Sequence, residues 1–188
     1  KFASLRLLLA YMFTTPGRKL LFMGDEFAQV REWSHERALD WGLREAPEHA
    51  GVEAWLCRVA QLYRADPALH ELDHDPAGFE WMVVDDNQRS LAVYMRLPSR
   101  GPVLLVALNF TPVTWSEHRI GVPAEGRWTL VDRSDAAAYG GDEAVVVSEQ
   151  IEAEPEPAHD RPFSLQVTLP PLTCLIFRGP EATQLRAS

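Results

Sequence analysis

The polar residues best suited to chemistry lie together in residues 24–41. This segment begins with Gly24-Asp25-Glu26-Phe27-Ala28-Gln29, continues through Arg31-Glu32-Trp33 and ends with Leu39-Asp40-Trp41. Carboxylates and a guanidinium group can bind sugar hydroxyls, and tryptophan rings can stack on the apolar face of a sugar. This mixture of residue types is typical of a carbohydrate-binding site.

The same side chains also admit a structural interpretation. Glu26 could pair with Arg31 or another arginine as a brace, and either tryptophan could simply pack the segment down. A catalytic role has less support, because a retaining glycosidase needs two carboxyl groups about 5 Å apart. The adjacent Asp25 and Glu26, at the end of a strand, would point in different directions. We therefore expect no catalytic pair among Asp25, Glu26 and Asp40.

Two helices and one strand are predicted around this segment. Apolar residues between Leu5 and Phe13 repeat at helical spacing, and those of residues 52–63 do so again. The apolar residues 19–23 predict a strand buried on both faces, as in parallel sheets that are covered by helices. The order helix, strand, loop, helix is typical of part of a βα barrel, in which the strand ends carry the active site.

Short strands replace helices in the second part of the chain. Turn sequences such as Asp85-Asp86-Asn87 separate the apolar segments, and about eight such segments predict an antiparallel β-sandwich. The acidic residues 149–161 predict a mobile surface loop, and the residues after Gly179 a frayed tail. The predicted strands are residues 79–84, 90–96, 103–109, 114–120, 127–131, 144–147, 163–169 and 173–178.

Composition argues against several classes of function. The 188 residues carry a formal net charge of -9, which opposes binding to nucleic acid. No apolar run reaches the roughly 20 residues that cross a membrane, and no secretory signal is recognisable, so we expect a cytoplasmic protein. Cys57 and Cys174 are expected to be buried free thiols. Neither the cysteines nor the six histidines show metal-ligand spacing, so we expect no metal and no cofactor.

The first part of the chain carries more apolar surface than it can bury. One barrel strand with two or three helices lacks the neighbouring strands that would cover it, so we expect a partner to cover this surface. The first residue, Lys1, is not an initiator methionine. Both features favour a piece of a longer protein.

The sequence closely resembles the glycogen branching enzymes of the α-amylase superfamily. The resemblance covers nearly the whole chain in order, except for residues 149–161 and the tail. Its motifs include Lys1-Phe2-Ala3-Ser4-Leu5-Arg6, Pro16-Gly17-Arg18-Lys19-Leu20-Leu21-Phe22-Met23-Gly24-Asp25-Glu26-Phe27-Ala28-Gln29, Leu39-Asp40-Trp41, Leu69-His70-Glu71-Leu72-Asp73, Gly78-Phe79-Glu80-Trp81, Asn109-Phe110-Thr111-Pro112-Val113 and Leu169-Pro170-Pro171-Leu172.

The resemblance implies a transferase that cleaves an α-1,4 link in a glucan and moves the freed segment to a 6-hydroxyl. Residues 1–75 would be the end of a (β/α)8 barrel, residues 76–179 the closing all-β domain and residues 180–188 a tail. The catalytic carboxylates would lie upstream of Lys1, so the chain alone would be inactive. Its partners would be α-glucan (glycogen or amylose) and the missing N-terminal part of the same enzyme. The candidate substrate-binding residues are Glu26, Arg31, Trp33, Asp40 and Trp41.

Two alternatives remain open at this point. A trehalose-forming hydrolase or a debranching enzyme has a similar motif at its eighth barrel strand. The chain could also act by itself as a glucan-binding module, for which Trp115, Trp128 and Tyr139 are candidate exposed aromatics, although aromatics in strands usually belong to the core.

Overall fold

The structure, a computed structural model, describes residues 1–83, 86 and 88–185. Within these residues the helices are α1 (Phe2–Thr14), α2 (Pro47–Ala65) and the short α3 (Ala182–Leu185). The strands are β1 (Phe79–Val83), β2 (Leu91–Arg96), β3 (Pro102–Asn109), β4 (Trp115–Val122), β5 (Arg127–Arg133), β6 (Gln150–Glu152), β7 (Phe163–Leu169) and β8 (Thr173–Glu181). Short 3-10 helices lie at Asp25–Phe27, Trp41–Glu45, Pro67–Leu69, Pro76–Gly78 and Ala137–Tyr139.

The strands form two antiparallel sheets. Six of them follow the order β1-β2-β3-β8-β5-β6, and β4 pairs with β7. Leu105 and Ala107 of β3 join the core shared with β4 and β7, whereas Leu104 and Val106 join the core that α1 and α2 cover. Because successive side chains of a strand point to opposite faces, the large sheet is buried on both sides. The predicted antiparallel β-sandwich is therefore confirmed, with the helices as a third layer.

Both predicted helices are present, and each buries one face. α1 buries Leu7 and Phe13, and α2 buries Trp55 in the same core. α1 ends because Thr15 is extended, with φ -77° and ψ 155°, as the residue before Pro16 prefers. Among the described helices, none is long and apolar enough to cross a membrane.

The strand predicted at residues 19–23 is not formed in this chain. Leu20 is 78% exposed, and Phe22 and Met23 are exposed as well. A parallel strand exists only through backbone hydrogen bonds to its neighbours, and none of the described strands lies beside this segment. The barrel assignment of residues 1–75 therefore remains a prediction.

Three further sequence predictions are wrong. Residues 144–147 form no strand, whereas Gln150–Glu152, within the predicted mobile loop, form β6 along β5. That acidic segment is also held by a bridge between Glu154 and Ser164 and by ion pairs of Arg119 with two of its glutamates. Cys57 is exposed, although Cys174 is buried as expected.

The predicted tail is ordered over residues 180–185. β8 continues to Glu181, and the buried Ala182 donates its N–H to the carbonyl of Gly101 over 2.8 Å. Backbone hydrogen bonds hold this end of the chain against the loop before β3. Residues 84, 85 and 87 of a predicted strand and turn, and 186–188 of the predicted tail, lie outside the described residues.

One buried guanidinium group joins the helices to the sheet. Arg96 of β2 is fully buried. Its Nη1 donates to Thr14 O over 2.8 Å, its Nη2 to Leu69 O over 3.1 Å and its Nε to Gly78 O over 3.3 Å. Nη2 also forms an ion pair with Asp73. The five N–H donors of an arginine allow it to bind the end of α1 and both ends of the connection between α2 and β1.

Two further hydrogen bonds support this junction. The Tyr94 hydroxyl lies 2.5 Å from Thr14 Oγ1, and burial raises the pKa of Tyr94 well above its ordinary value, so the phenol stays protonated. The indole of Trp55 donates to the carbonyl of Arg6 over 2.8 Å, which fixes α2 against α1. The two helices and the sheet are thus joined by polar contacts as well as by their apolar core.

Replacing Arg96 with methionine should destabilise the fold strongly. The change leaves the half-buried Asp73 carboxylate without its ion-pair partner and three backbone carbonyls without their donor. Breaking a buried ion pair in this way typically costs about 3–5 kcal/mol. Urea unfolding measures this loss. Arg127→Met is the matched control, because Arg127 pairs with Glu152 on the exposed surface and should change stability by less than about 1 kcal/mol. Equal losses for both variants would contradict the assigned role of Arg96.

Candidate functional site

The loop formed by residues 24–41, here the 24–41 loop, is anchored at its start. Gly24 has a φ of +97°, and a Cβ there would lie 2.7 Å from Cβ of Gln29, so this turn requires glycine. It leads into the 3-10 helix Asp25–Phe27, whose Phe27 side chain is fully buried. The ring of His49 on α2 donates from Nδ1 to Phe27 O over 2.8 Å. The start of the loop is therefore fixed to the start of α2.

Hydrogen bonds within the loop tie its two ends together. Gln29 donates from Nε2 to Arg31 O over 2.8 Å, and its Oε1 accepts from the N–H of Asp40 over 2.8 Å. The side chains of Arg31 and Asp40 form an ion pair. Glu26 accepts the N–H of Gly24 over 3.0 Å. An ion pair of Arg31 therefore holds the loop, as one interpretation of the sequence suggested, but its partner is Asp40 and not Glu26.

Both tryptophans of the loop present one side to solvent. Trp33 is 41% exposed and meets Phe22 edge to face, with ring centroids 5.2 Å apart. Trp41 is 52% exposed and lies tilted on Phe27, with centroids 5.3 Å apart. Each indole is therefore held by a neighbouring aromatic ring while part of its surface remains available. Such surfaces suit stacking against a sugar ring.

A cavity of about 430 Å³ opens beside the first half of the loop. It brings together two of the candidate residues, Arg31 and Trp33, whereas the side chains of Glu26, Asp40 and Trp41 do not line it. The predicted substrate-binding set left out several lining residues of the same polar segment. These include Asp25, Gln29 and Glu32.

A larger cavity, of about 740 Å³, lies at the far end of the sandwich, beside Phe163 and Pro180. Its charged lining residues are Glu125 and Arg127, and Arg127 is already paired with Glu152. It contains no tryptophan. Size alone therefore favours this cavity, but residue chemistry favours the 24–41 loop.

The aromatics suggested for a binding module form no exposed platform. Trp128 is fully buried and Trp115 is half-buried, with Arg89 over its ring. Tyr139 packs on Trp55 at 4.9 Å between ring centroids, and burial raises its pKa to about 12. In the described part of the chain, no group of three or more His, Cys, Asp or Glu side chains could hold a metal ion.

Sequence comparison finds relatives along the whole chain. Residues 81–179 match the family described as the alpha amylase C-terminal all-beta domain. The chain is 47% identical over 99% of its length to the 1,4-alpha-glucan branching enzyme GlgB of Aromatoleum aromaticum, and 47% identical over 95% to that of Pseudomonas syringae pv. tomato. It spans only 29% and 24% of these two proteins, respectively.

Solved structures share the same architecture at low sequence identity. The Group B Streptococcus pullulanase SAP matches 95% of the chain with a TM-score of 0.60 and 14% identity, over 28% of its own length. Ttha1563 from Thermus thermophilus matches 94% of the chain with a TM-score of 0.60 and 18% identity, over 31% of its own length. At these identities the likeness shows the fold alone.

Gln29→Ala should loosen the closure of the 24–41 loop without unfolding the protein. The variant removes both side-chain hydrogen bonds of Gln29, each worth about 0.5–1.5 kcal/mol. Amide hydrogen exchange of Asp40, whose acceptor is lost, should accelerate by about threefold to tenfold. Gln61→Ala, on the exposed face of α2, is the control and should leave this rate unchanged. Unchanged exchange in Gln29→Ala would show that the loop is held by other contacts.

Proposed function

We propose that this chain, which belongs to the alpha amylase C-terminal all-beta domain family, is the C-terminal part of a 1,4-alpha-glucan branching enzyme. The observation that carries the proposal is the 47% identity over 99% of the chain. This match includes α1, the 24–41 loop and α2 as well as the sandwich. A shared all-β domain alone would not account for it.

The proposed reaction cleaves an α-1,4 link of a glucan and transfers the freed segment to a 6-hydroxyl, which makes an α-1,6 branch. A retaining double displacement suits transfer, because a covalent glycosyl-enzyme can react with a sugar hydroxyl instead of water. We place the nucleophile, the acid/base and the stabilising carboxylate upstream of Lys1. This placement agrees with the small share of its relatives that the chain spans.

The 24–41 loop would bind and shape the glucan rather than cleave it. The exposed faces of Trp33 and Trp41 offer stacking surfaces. The Arg31–Asp40 pair places a donor and an acceptor in the same loop. Glu26 would order the turn at Gly24 and thereby the rim of the site. All five predicted substrate-binding residues thus remain part of the proposal, with different roles.

Residues 19–23 would form the eighth barrel strand. The missing N-terminal part of the same enzyme would cover their exposed apolar side chains. The side chains of Leu20, Phe22 and Met23, which are exposed here, support this because barrel strands are covered on both faces. The remaining elements of the proposal are α-glucan as substrate, no cofactor and a cytoplasmic location.

The two alternatives have less support. The buried or packed positions of Trp128 and Tyr139 remove an aromatic platform on which an independent glucan-binding module would depend. Structural likeness to debranching enzymes concerns the fold alone, at 18% identity for the Nostoc punctiforme enzyme. The much higher identity to branching enzymes favours transfer over hydrolysis.

The 188-residue chain alone should leave the iodine absorbance of amylose unchanged, because it lacks the proposed catalytic carboxylates. The natural longer protein, with its upstream residues, should lower that absorbance as long linear helices of glucan become branched. Loss of absorbance with the 188-residue chain alone would overturn the placement of the catalytic residues. Retention of glycogen by this chain, together with a longer protein that does not branch amylose, would instead favour the binding module.

In the longer protein, Trp41→Ala should lower kcat/KM for amylose by about tenfold, because a stacking surface for the glucan is lost. The melting temperature should stay near that of the parent, since Trp41 is largely exposed. Phe110→Ala, which removes another exposed aromatic, is the control and should preserve activity. Parallel losses of melting temperature and activity in Trp41→Ala would indicate a packing role instead.

A further inference from the structure

A second cavity, of about 420 Å³, lies where the first turns of α1 and α2 meet the loop of residues 135–145. Gly51 of α2 approaches that loop closely, because a Cβ at Gly51 would lie 2.4 Å from Tyr139 O. It shares no lining residue with the cavity beside the 24–41 loop. We call it the Arg6 cavity, after the charged residue at its base.

Arg6 is buried but not fully bonded. It is only 4% exposed, and its Nε donates to Ser134 O over 2.8 Å. Neither terminal nitrogen has a hydrogen-bond partner among the described residues, and the side chain lines the cavity. Burial lowers the pKa of Arg6, an effect that the negative charges of Asp135 and Asp142 oppose. These terminal N–H groups are therefore free to donate to a ligand in the cavity.

The surroundings of Arg6 favour a neutral ligand over an anion. Asp135 is held by Arg133 through two hydrogen bonds, of 2.7 and 2.6 Å, so that pair is already balanced. Asp142 and Glu48 add two further carboxylates to the lining against the single charge of Arg6. An anion would therefore meet net negative charge. A polyhydroxyl ligand could accept from the guanidinium group and donate to a carboxylate.

The remaining wall of the cavity is apolar. Phe2, Ala3, Pro171 and Leu172 contribute to it. Apolar side chains beside a few convergent polar groups are the usual construction of a small-ligand site. Sugars combine hydroxyls with an apolar face of C–H groups, so this wall and the polar groups of the Arg6 cavity complement one ligand class.

We propose that the Arg6 cavity binds a short, neutral segment of α-glucan, as a second contact of this chain with its substrate. The identity of the sugar rests on the proposed function, whereas the cavity and its unpaired donors do not. Arg6 would donate to sugar hydroxyls, Asp142 would accept from one, and Leu172 would pack against the ring.

Contacts between rings connect this cavity to the 24–41 loop. Phe2, in the cavity wall, meets His49 at 5.0 Å between ring centroids, and His49 in turn bonds to Phe27 of the loop. Both candidate sites are therefore built on the first turn of α2. Glucan bound at either site would be oriented by α2.

The test uses the natural full-length protein with ¹³C-labelled Ala, Val and Leu methyl groups, titrated with maltoheptaose. The methyl signals of Ala3, Val145 and Leu172 should shift and saturate. Those of Val122 should not, because Val122 pairs with Phe163 at the end of the β4–β7 ladder opposite to Leu169. Arg6→Lys, which keeps the charge but loses the planar fork, should weaken this binding by about tenfold. Asp142→Asn should weaken it by about threefold.

Two controls and three outcomes make the test decisive. Glu149→Gln neutralises an exposed carboxylate elsewhere and should leave the affinity unchanged. Unshifted Val122 signals verify that each variant is folded. Methyl shifts that saturate with inorganic phosphate but not with maltoheptaose would overturn the proposal that the ligand is neutral. No shift with either, in a protein that branches amylose, would overturn the site and leave the proposed function intact. Shifts in a protein that does not branch amylose would support the site while overturning the proposed function.

Discussion

The relative placement of the helices and the sandwich depends on the buried guanidinium group of Arg96. A cation out of contact with water is tolerated only when its donors are bonded, and here the acceptors lie at the end of α1, in the connection from α2 to β1 and on Asp73. These segments cannot move apart without leaving a charge unpaired. The two helices that carry both candidate sites are thereby fixed to the sheet.

Local signals in the sequence were sufficient to predict the elements whose ends and buried faces depend on their own residues. Thr15 and Pro16 end α1, and alternation along β3 supplies both faces of the large sheet. Elements defined by partners were missed: the polar Gln150–Glu152 is a strand only through its ladder with β5, and the apolar residues 19–23 find no neighbour in this chain. Pattern alone cannot show which segments will lie side by side.

The candidate sites show the same limit. Residue types identified the 24–41 loop, yet the pairing of Arg31 with Asp40 follows from how Gln29 closes the loop. Arg6 lies within an apolar helical pattern, and nothing in its neighbours along the sequence predicts a cavity. Its acceptor Ser134, directly before the loop that walls the cavity, lies 128 residues away along the chain. In the proposed function, the described residues contribute stacking surfaces, donors and acceptors for binding glucan. The carboxylates that break the bond would lie upstream of Lys1.

The proposed function places this chain in a transferase that makes α-1,6 branches. Proton NMR of amylose treated with the natural full-length protein tests it most directly, because α-1,4 and α-1,6 anomeric protons resolve separately and reducing ends can be counted in the same spectrum. We expect α-1,6 signals to appear while the number of reducing ends stays constant, since every cleaved bond is replaced. New reducing ends without α-1,6 signals would indicate a hydrolase and would contradict the proposed transferase.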